Sequence, residues 1–541
     1  MSRFFAPIGA ALALALAACS TSTTRPSAWA APEVLVPPSS FTGVHGLAID
    51  SKGRLLAGTV VGYTMWEVNR QTGEAKIFID APEGQADDIA IGPKGELAWT
   101  NYLMGSVRVR DSDGAPSRVV AKDLPGLNSL DFDRRNGRLY ATQVFLGDAL
   151  WELDPAGVNA PRLIAKDLGG LNGFEVGPDG MIYGPLWFKN SVVKVDPRNG
   201  AVTVINNQFK TPAAVNLDGK GNLYAIDTAT GELARVEIAT GRKTVLKQLK
   251  TALDNLAVAP DGTVYVSNMA DNSIEAYDPA TGNVRLLTSG KLAVPSGVKV
   301  AGSSLWVADI FSAREVDLAS GRVTDVKRMQ ASDMEYPFAV GVSSKLVTLT
   351  SWFTGTVQVL DRQTRQTVYM MHGWKAPYDA LPLEDGSVLV AELVTGSISQ
   401  ASGAEFKTRR VVAAGLQGPV QMTLGRDGAL YVTEAAGTLT RINLADGAKS
   451  VVASGLALPE GVVQTPWGSF VVAEAAGRKL TEIDPATGQR RTVAENLPIG
   501  LPAGPGMPPP YVATGVTIDA AGNLYFSANR NNAIYRVRPQ R

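Results

Sequence analysis

The sequence predicts an all-β chain, a tandem β-propeller of twelve four-stranded blades, and three observations support this prediction. One apolar unit recurs twelve times from Gly46 onward, at steps of 40–44 residues except for a final step of 54. Repeats of about 40–45 residues are typical of propeller blades. Turn sequences rich in Pro, Asp and Gly divide each unit into short apolar segments. No segment beyond residue 18 spaces its apolar residues as a helix would.

The sixth unit shows how one repeat divides into strands. Its turns, Pro260-Asp261-Gly262 and Asp278-Pro279-Ala280-Thr281-Gly282, combine a fixed proline φ, a backbone-binding aspartate and a glycine that tolerates positive φ. The second kind of turn recurs after Asp196 and Asp484. The predicted strands between these turns are Asn255 to Val258, Val264 to Ser267, Ile274 to Tyr277 and Val284 to Leu287.

The number of units predicts two rings. Single propellers hold about 4–8 blades, so twelve units favour two six-bladed rings over one oversized ring. We place the N-terminal ring at residues 41–292 and the C-terminal ring at residues 293–541. The last unit ends after three strands, whereas Glu33 to Val36 forms a strand without a blade. Because an unpaired edge is unfavourable, we expect this strand to complete either the last blade or the closing blade of the first ring.

Composition narrows the classes of partner. Lys plus Arg and Asp plus Glu both number 51, and no basic run stands out, which argues against nucleic-acid binding. Cys19 is the only cysteine, so the chain has no internal disulfide framework.

The N-terminal residues predict export and anchoring. The apolar stretch from Phe4 to Ala18 is shorter than the span of about 20 residues that crosses a membrane. It ends in Leu16-Ala17-Ala18-Cys19, which resembles a bacterial lipoprotein signal. The resemblance implies a signal peptide at residues 1–18, lipidation of Cys19 and a tether at residues 19–40. Ser20 then implies an outer-membrane anchor facing the periplasm, with the membrane contacted only through lipid. Cleavage after Ala30 is the rival interpretation.

Polar residues precede the innermost strand of most blades in the first ring, and such residues point toward the central channel. The six residues at this entry position are His45, Asp87, Asn128, Asn172, Ala213 and Asp254. Converging carboxylate and amide oxygens predict Ca²⁺ or another divalent cation, since Ca²⁺ takes about 6–8 oxygen ligands. The second strand returns to the same face, so we also predict that Asn101, Asp227 and Asn268 line a substrate pocket.

Three segments carry a family resemblance. Val44-His45-Gly46-Leu47, Gly170-Leu171-Asn172-Gly173-Phe174 and the run from Leu253 to Gly262 resemble strand entries of the SMP-30/gluconolactonase and paraoxonase propellers. That resemblance implies a six-bladed, calcium-dependent hydrolase of small-molecule lactones or esters. It implies metal ligation by Asn128, Asn172 and Asp254, and a catalytic pair of His45, as the base, and Asp87. The sequence departs from the family at His45, where the family has an acid, and at Ala213, where it has Asp.

The residues that precede the innermost strands of the second ring are less like metal ligands than those of the first ring. We therefore expect no metal in the second ring. Gly428 to Glu434 and Leu439 to Ile442 resemble blades of virginiamycin B lyase. We expect the acidic strand ends Asp309, Glu392, Glu434 and Glu474 to be structural. The segment from Pro498 to Pro510 accounts for the 54-residue step and is expected to project from the mouth as a lid, a partner-binding arm or a tolerated insertion.

The sequence leaves three functional classes open. The first is a lactonase or esterase at the axis of the first ring. The second is a non-catalytic scaffold or ligand-binding lipoprotein with an envelope protein as partner. A lyase is the third, and it rests on the second-ring resemblance alone. The fold does not decide among the three classes, because one fold can serve all of these functions.

Overall fold

The computed structural model describes residues 24–540 and is built almost entirely from β-strands. Twelve four-stranded antiparallel sheets follow one another along the chain, which confirms the predicted fold class. Within the described residues the only helices are three short 3₁₀ turns, Tyr102–Met104, Trp187–Lys189 and Ala404–Phe406. None of the helices found in residues 24–540 has the length and apolar character needed to cross a membrane.

Each of the first six blades has its strands in sequence order from the axis outward. Blade 1 comprises Val44–Ile49, Leu55–Thr59, Met65–Val68 and Ala75–Ile79; blade 2 Ile89–Ile91, Leu97–Asn101, Ser106–Arg110 and Arg118–Ala121; blade 3 Leu127–Asp133, Arg138–Gln143, Ala149–Leu153 and Arg162–Lys166; blade 4 Glu175–Val176, Ile182–Leu186, Ser191–Val195 and Val202–Asn206; blade 5 Pro212–Leu217, Asn222–Asp227, Glu232–Glu237 and Lys243–Gln248; and blade 6 Leu253–Val258, Val264–Asn268, Ser273–Tyr277 and Val284–Thr288.

The next five blades follow the same order, and the twelfth begins in the same way. Blade 7 comprises Val298–Ala301, Ser304–Ala308, Ser312–Asp317 and Val323–Arg328; blade 8 Ala339–Val342, Leu346–Ser351, Thr356–Asp361 and Thr367–Met371; blade 9 Pro377–Pro382, Val388–Glu392, Ser397–Ser402 and Thr408–Ala413; blade 10 Pro419–Leu424, Leu430–Glu434, Thr438–Ile442 and Lys449–Ser454; blade 11 Pro459–Gln464, Phe470–Glu474, Lys479–Ile483 and Arg490–Ala494; and blade 12 Val516–Ile518, Leu524–Ala528 and Ala533–Val537.

The blades close into two rings of six. Ser267 of blade 6 donates a 2.6 Å hydrogen bond to the main-chain oxygen of His45 in blade 1, which closes the first ring. Ser296, at the entry of blade 7, donates to the main-chain oxygen of Ala513, which precedes blade 12, and this bond of 2.9 Å closes the second ring. Apolar side chains fill the space between neighbouring sheets, as Leu47 does against the sixth blade. The inner strands of each ring therefore surround one axis.

The N-terminal strand completes the last blade. Glu33–Val36 pairs antiparallel with Ala533–Val537 and becomes the fourth strand of blade 12. A second short pair, Ala28–Trp29 with Pro539–Gln540, lies beside it. Of the two predicted positions for this strand, the structure selects the last blade. The two ends of the described chain are thus held together, and the edge of blade 12 is paired.

A buried carboxylate holds the segment before this strand against blade 11. The Glu482 side chain is fully buried and accepts hydrogen bonds from Arg25 at 3.0 Å, from Trp467 at 2.8 Å and from Ser469 at 2.6 Å. Burial alone would raise the pKa of Glu482, but hydrogen bonds from Ser469, Trp467 and Arg491 lower it to about 2. The carboxylate is therefore ionised and anchors the N-terminal segment.

The two rings share an apolar core. Val61 and Met269 of the first ring pack with Ile310 and Phe311 of the second. At the connection between the rings, the side-chain amide of Asn272 donates to the main-chain oxygen of Ala293 at 2.9 Å and accepts from the Gly43 N–H at 2.9 Å. The mouth of the first ring therefore faces the second ring.

Candidate metal centre between the two rings

Five of the six entry residues of the first ring line one cavity. The side chains of His45, Asp87, Asn128, Asn172 and Asp254 come from blades 1, 2, 3, 4 and 6 and meet at the mouth of the channel. The sixth entry residue, Ala213, is buried and is not part of the lining. The convergence expected from the fold is therefore present in the structure, with blade 5 contributing no polar group.

Three of these side chains bring ionisable groups close together. One ligand atom each from His45, Asp87 and Asp254 lies within 4.8 Å of the other two. Burial raises the pKa of Asp87 well above its usual value, and repulsion from Asp254 and Asp88 adds to this effect. Burial also raises the pKa of Asp254, although the nearby His45 opposes the rise. Two carboxylates held this way are unfavourable as anions unless a cation lies between them.

The backbone fixes the orientation of the His45 ring. Its Nδ1 lies 2.9 Å from the main-chain oxygen of Gly43. Because a carbonyl oxygen only accepts hydrogen bonds, the neutral ring carries its proton on Nδ1. Nε2 is then left with its lone pair, which can take a proton or bind a metal. The edge of Phe311 from the second ring packs against the imidazole with a centroid separation of 5.2 Å.

Hydrogen bonds hold the side-chain amides of the two asparagines beside the centre. The Asn128 amide N–H donates to the Asp87 carboxylate, while its oxygen accepts from Ser129 at 2.8 Å. The Asn172 oxygen accepts from Ser129 at 3.0 Å and from the Gly173 N–H at 3.0 Å. Because the Asn128 N–H faces Asp87, ligation of a shared metal by the Asn128 oxygen requires this amide to turn over. The Asn172 oxygen accepts two hydrogen bonds and would have to release at least one of them, as turning the amide over does, since a carbonyl oxygen has two lone pairs. The structure brings the predicted ligands Asn128, Asn172 and Asp254 into one cavity with the predicted catalytic pair His45 and Asp87, and metal ligation by these side chains stays a prediction.

The three residues predicted to line a substrate pocket lie outside the cavity lining. Asn101, Asp227 and Asn268 are at most 1 % exposed and bind the backbone of the loop that leads into their own blade. Their partners are the Gln85 main-chain oxygen at 3.2 Å, the Thr211 N–H at 3.0 Å and the Thr251 main-chain oxygen at 2.9 Å, respectively. The prediction failed because the last side chain of a second strand turns toward this loop instead of the channel.

Acidic residues in the second ring have the same structural role. Glu392 accepts from the Lys375 N–H at 2.8 Å, and Glu474 accepts from the Ala457 N–H at 2.7 Å. A polar residue at the end of the second strand thus secures the entry loop in both rings. A polar residue that recurs at this position in blades of both rings is therefore structural. The histidine, aspartate and asparagine residues at the strand entries of the first ring do not recur at the entries of the second ring, and this difference marks the candidate site.

The second ring supplies the other wall of the cavity, and no motif in the sequence marks the residues that form it. The residues involved, mostly apolar, are Ile310, Phe311, Met329, Gln330, Tyr336, Phe338, Trp352, Phe353, Met507 and Tyr511. With the first-ring residues they surround a cavity of about 90 Å³ that opens to solvent. No lysine or arginine lines the cavity.

The inserted segment before blade 12 packs into this wall. The Tyr378 hydroxyl donates to the main-chain oxygen of Pro510 at 2.7 Å, and the ring of Tyr511 packs on Tyr63 of the first ring at 5.9 Å. The expectation that the segment projects from the mouth is therefore wrong. Its prolines and glycines instead let the chain bend back between the rings, where Met507 and Tyr511 reach the cavity.

Comparisons with known proteins give no functional assignment. No protein-family model matches the sequence, and neither does any curated protein. Among solved structures, a nidogen/laminin complex matches with 18% identity and a TM-score of 0.26, covering 44% of this chain and 93% of the matched one. A streptogramin B lyase structure matches with 14% identity and a TM-score of 0.27, covering 60% of this chain and 93% of the other. Superpositions of this quality do not bear on function.

The buried carboxyl groups of the first ring predict a pH dependence of stability. Burial raises the pKa of Asp88 to about 7 and that of Asp131 to about 8, and Asp87 shifts in the same direction. A raised folded-state pKa means that the folded protein binds the proton more tightly, so stability is lost as pH rises through that pKa. The pKa of Glu482 is lowered to about 2, so Glu482 is ionised at both pH 5.5 and pH 8 and contributes equally to stability at the two pH values.

We therefore expect the metal-free protein to melt at a lower temperature at pH 8 than at pH 5.5. Thermal unfolding followed by tryptophan fluorescence in EDTA measures this difference. A melting temperature that stays constant or rises over this interval would contradict the assignment of raised pKa values.

Proposed function

We propose that the mouth of the first propeller binds one divalent cation and hydrolyses a small-molecule ester or lactone. The observation that carries the proposal is the group of buried His45, buried Asp87 and half-buried Asp254 in a cavity without lysine or arginine. Two carboxylates in such a place need a positive charge, and a bound cation supplies it. The cavity opens to solvent, so a substrate could reach this group.

The donor set fits either of two kinds of cation. If Asp87 and Asp254 bind it with turned amides of Asn128 and Asn172, the ligands are all oxygen, as Ca²⁺ prefers. If the His45 Nε2 is a ligand as well, the set of one imidazole and two carboxylates suits Zn²⁺ or Mn²⁺. We favour Ca²⁺, because that arrangement leaves the lone pair of His45 free for catalysis.

The residues around the centre suit ester hydrolysis. A bound cation would polarise the substrate carbonyl. His45 Nε2 is placed to accept a proton from the attacking water, and its Nδ1–H bond to Gly43 keeps the ring in the required tautomer.

Replacing His45 tests the catalytic role. We expect His45→Gln to lower kcat by about 10²–10⁴-fold, the usual contribution of a general base. The cation-induced rise in melting temperature should persist, because Asp87 and Asp254 remain. Hydrolysis of phenyl acetate and γ-butyrolactone with Ca²⁺, Mn²⁺ or Zn²⁺, and with EDTA, provides the assay. If the variant loses cation binding as well, His45 is a ligand; if wild-type protein hydrolyses neither substrate with any cation, the hydrolase proposal fails.

Such a failure would favour the rival function, a non-catalytic scaffold or ligand-binding lipoprotein. Retention of a small molecule in the cavity without turnover would support ligand binding, and a stable complex with another envelope protein would support a scaffold. The lyase alternative has no support from the geometry of the site. Product analysis separates it from a hydrolase, since a lyase releases an unsaturated product without consuming water.

We further propose that the protein is anchored by lipid to the outer membrane and faces the periplasm. Cys19, the predicted lipidation site, lies outside the described residues. We expect Cys19→Ala to release the protein from the membrane fraction, because one or two acyl chains supply the anchoring energy. Mass spectrometry of the mature N-terminus measures the modification directly. A wild-type chain that begins after Ala30 and carries no lipid would contradict this proposal.

A further inference from the structure

An unbroken series of aromatic rings leads from the candidate metal centre to the surface. Phe311 contacts His45 at the base, and Tyr336 lies 6.2 Å from Phe311 by ring centroids. Phe353 lies 5.6 Å from Tyr336 and 5.9 Å from Trp352. All four aromatic residues belong to the second ring, and Phe353 is 37% exposed. We call Phe311, Tyr336, Trp352 and Phe353 the aromatic wall.

The first ring offers a matching apolar surface at the cavity. Phe145 and Trp187 line the cavity with ring centroids 5.3 Å apart. Phe188 continues the surface outward, 5.6 Å from Phe145, and is 55% exposed. Exposed clusters of large apolar side chains commonly mark binding sites. The polar groups described above lie around the metal centre, whereas these aromatic surfaces extend from it to solvent.

We propose that the aromatic wall of the second propeller selects the substrate of the first, favouring uncharged esters or lactones that carry an aromatic or similarly large apolar group. This inference rests on the proposed function, because it places the reacting carbonyl at the metal centre and the apolar group between the wall and Phe145. With no lysine or arginine in the lining, an anionic group would find no counter-charge there. Both rings are then required for a complete site.

Binding of a small aromatic probe tests the wall without requiring turnover. We expect the full-length protein in EDTA to bind 2-naphthol, and Trp352→Ala and Phe353→Ala each to weaken binding by about tenfold, the value of one lost aromatic contact. Tyr369→Ala in the same blade is the control, since Tyr369 is partly exposed and absent from the cavity lining. The anion 6-hydroxy-2-naphthoate should bind at least tenfold more weakly than 2-naphthol.

The same variants should change specificity in the hydrolysis assay. For 2-naphthyl acetate, kcat/KM should fall about tenfold, mainly through KM, and by more than kcat/KM for γ-butyrolactone falls, whereas Tyr369→Ala should change neither value. Phe353 is partly exposed, so its replacement does not endanger folding. Unchanged 2-naphthol binding in both variants, equal losses for both substrates, or equally tight binding of the anion would overturn the inference. A protein that binds 2-naphthol as described but hydrolyses no ester supports the wall and rejects the proposed function.

Discussion

Asp87→Asn and Asp254→Asn should each abolish the stabilisation that a divalent cation gives the wild-type protein. At a cation concentration 100 times the dissociation constant, a ligand that binds only the folded state stabilises it by about 2.7 kcal/mol. Each substitution removes one of the two carboxylates in the group that includes His45. Thermal unfolding with and without Ca²⁺, Mn²⁺ or Zn²⁺ measures the effect.

In EDTA the expected effect of Asp87→Asn has the opposite sign. Burial and the neighbouring Asp254 make the Asp87 carboxylate unfavourable, which is why its pKa is raised. The asparagine variant should therefore be more stable than wild type in EDTA at pH 8. At this pH the wild-type protein must either bury a negative charge or hold a proton against the solution, whereas the asparagine is neutral. Asp167→Asn, at an exposed position, is the control and should behave as wild type in both conditions. A cation shift that survives both cavity substitutions would place the bound ion elsewhere.

Arg314→Met should cost about 3–5 kcal/mol of unfolding free energy, because it leaves the buried Asp309 carboxylate without its charged partner. Arg314 is 3% exposed and joins the rings: it donates to Asp309 at 2.8 Å and to the Asp271 carboxylate at 3.2 Å, and it also contacts the main-chain oxygen of Ala270. Asp271 and Ala270 belong to the first ring, and Asp309 belongs to the second. Burial alone would raise the pKa of Asp271, but Arg328 and Arg314 lower it to about 2.

Urea unfolding followed by tryptophan fluorescence measures this loss. Arg322→Met, an exposed position at the turn before the last strand of the same blade, is the control and should change stability by less than about 0.5 kcal/mol. Because the cavity lies between the rings, Arg314→Met should also weaken 2-naphthol binding. An unfolding free energy equal to that of the Arg322 control would show that the rings are held together without this ion-pair network.

The repeat itself explains why most of the fold could be predicted. Turn residues such as Asp278 and Gly282 act locally: the aspartate accepts from the Ala280 N–H at 2.9 Å, and the glycine adopts φ +70°. The spare strand Glu33–Val36 was recognised because the last unit lacked one strand. The convergence of His45, Asp87 and Asp254 likewise follows from ring closure, since equivalent positions of successive blades must meet at the axis.

The aromatic wall could not be predicted because no repeat position encodes it. How the second ring sits on the first depends on single residues, such as Asn272 and Arg314, whose partners lie in other blades. The roles of Asn101 and Asp227 were missed for a different reason. A strand-end side chain can face the channel or its entry loop, and only the backbone geometry decides between the two.

A crystal structure of the protein grown with Mn²⁺ tests the central claim most directly, through the anomalous signal of the metal. We predict one peak at the mouth of the first ring, within about 2.0–2.6 Å of carboxylate oxygens of both Asp87 and Asp254, with the second ring closing the cavity above it. An empty cavity at saturating Mn²⁺, with the Asp87 and Asp254 carboxyl groups bonded to each other through a proton, would contradict the account.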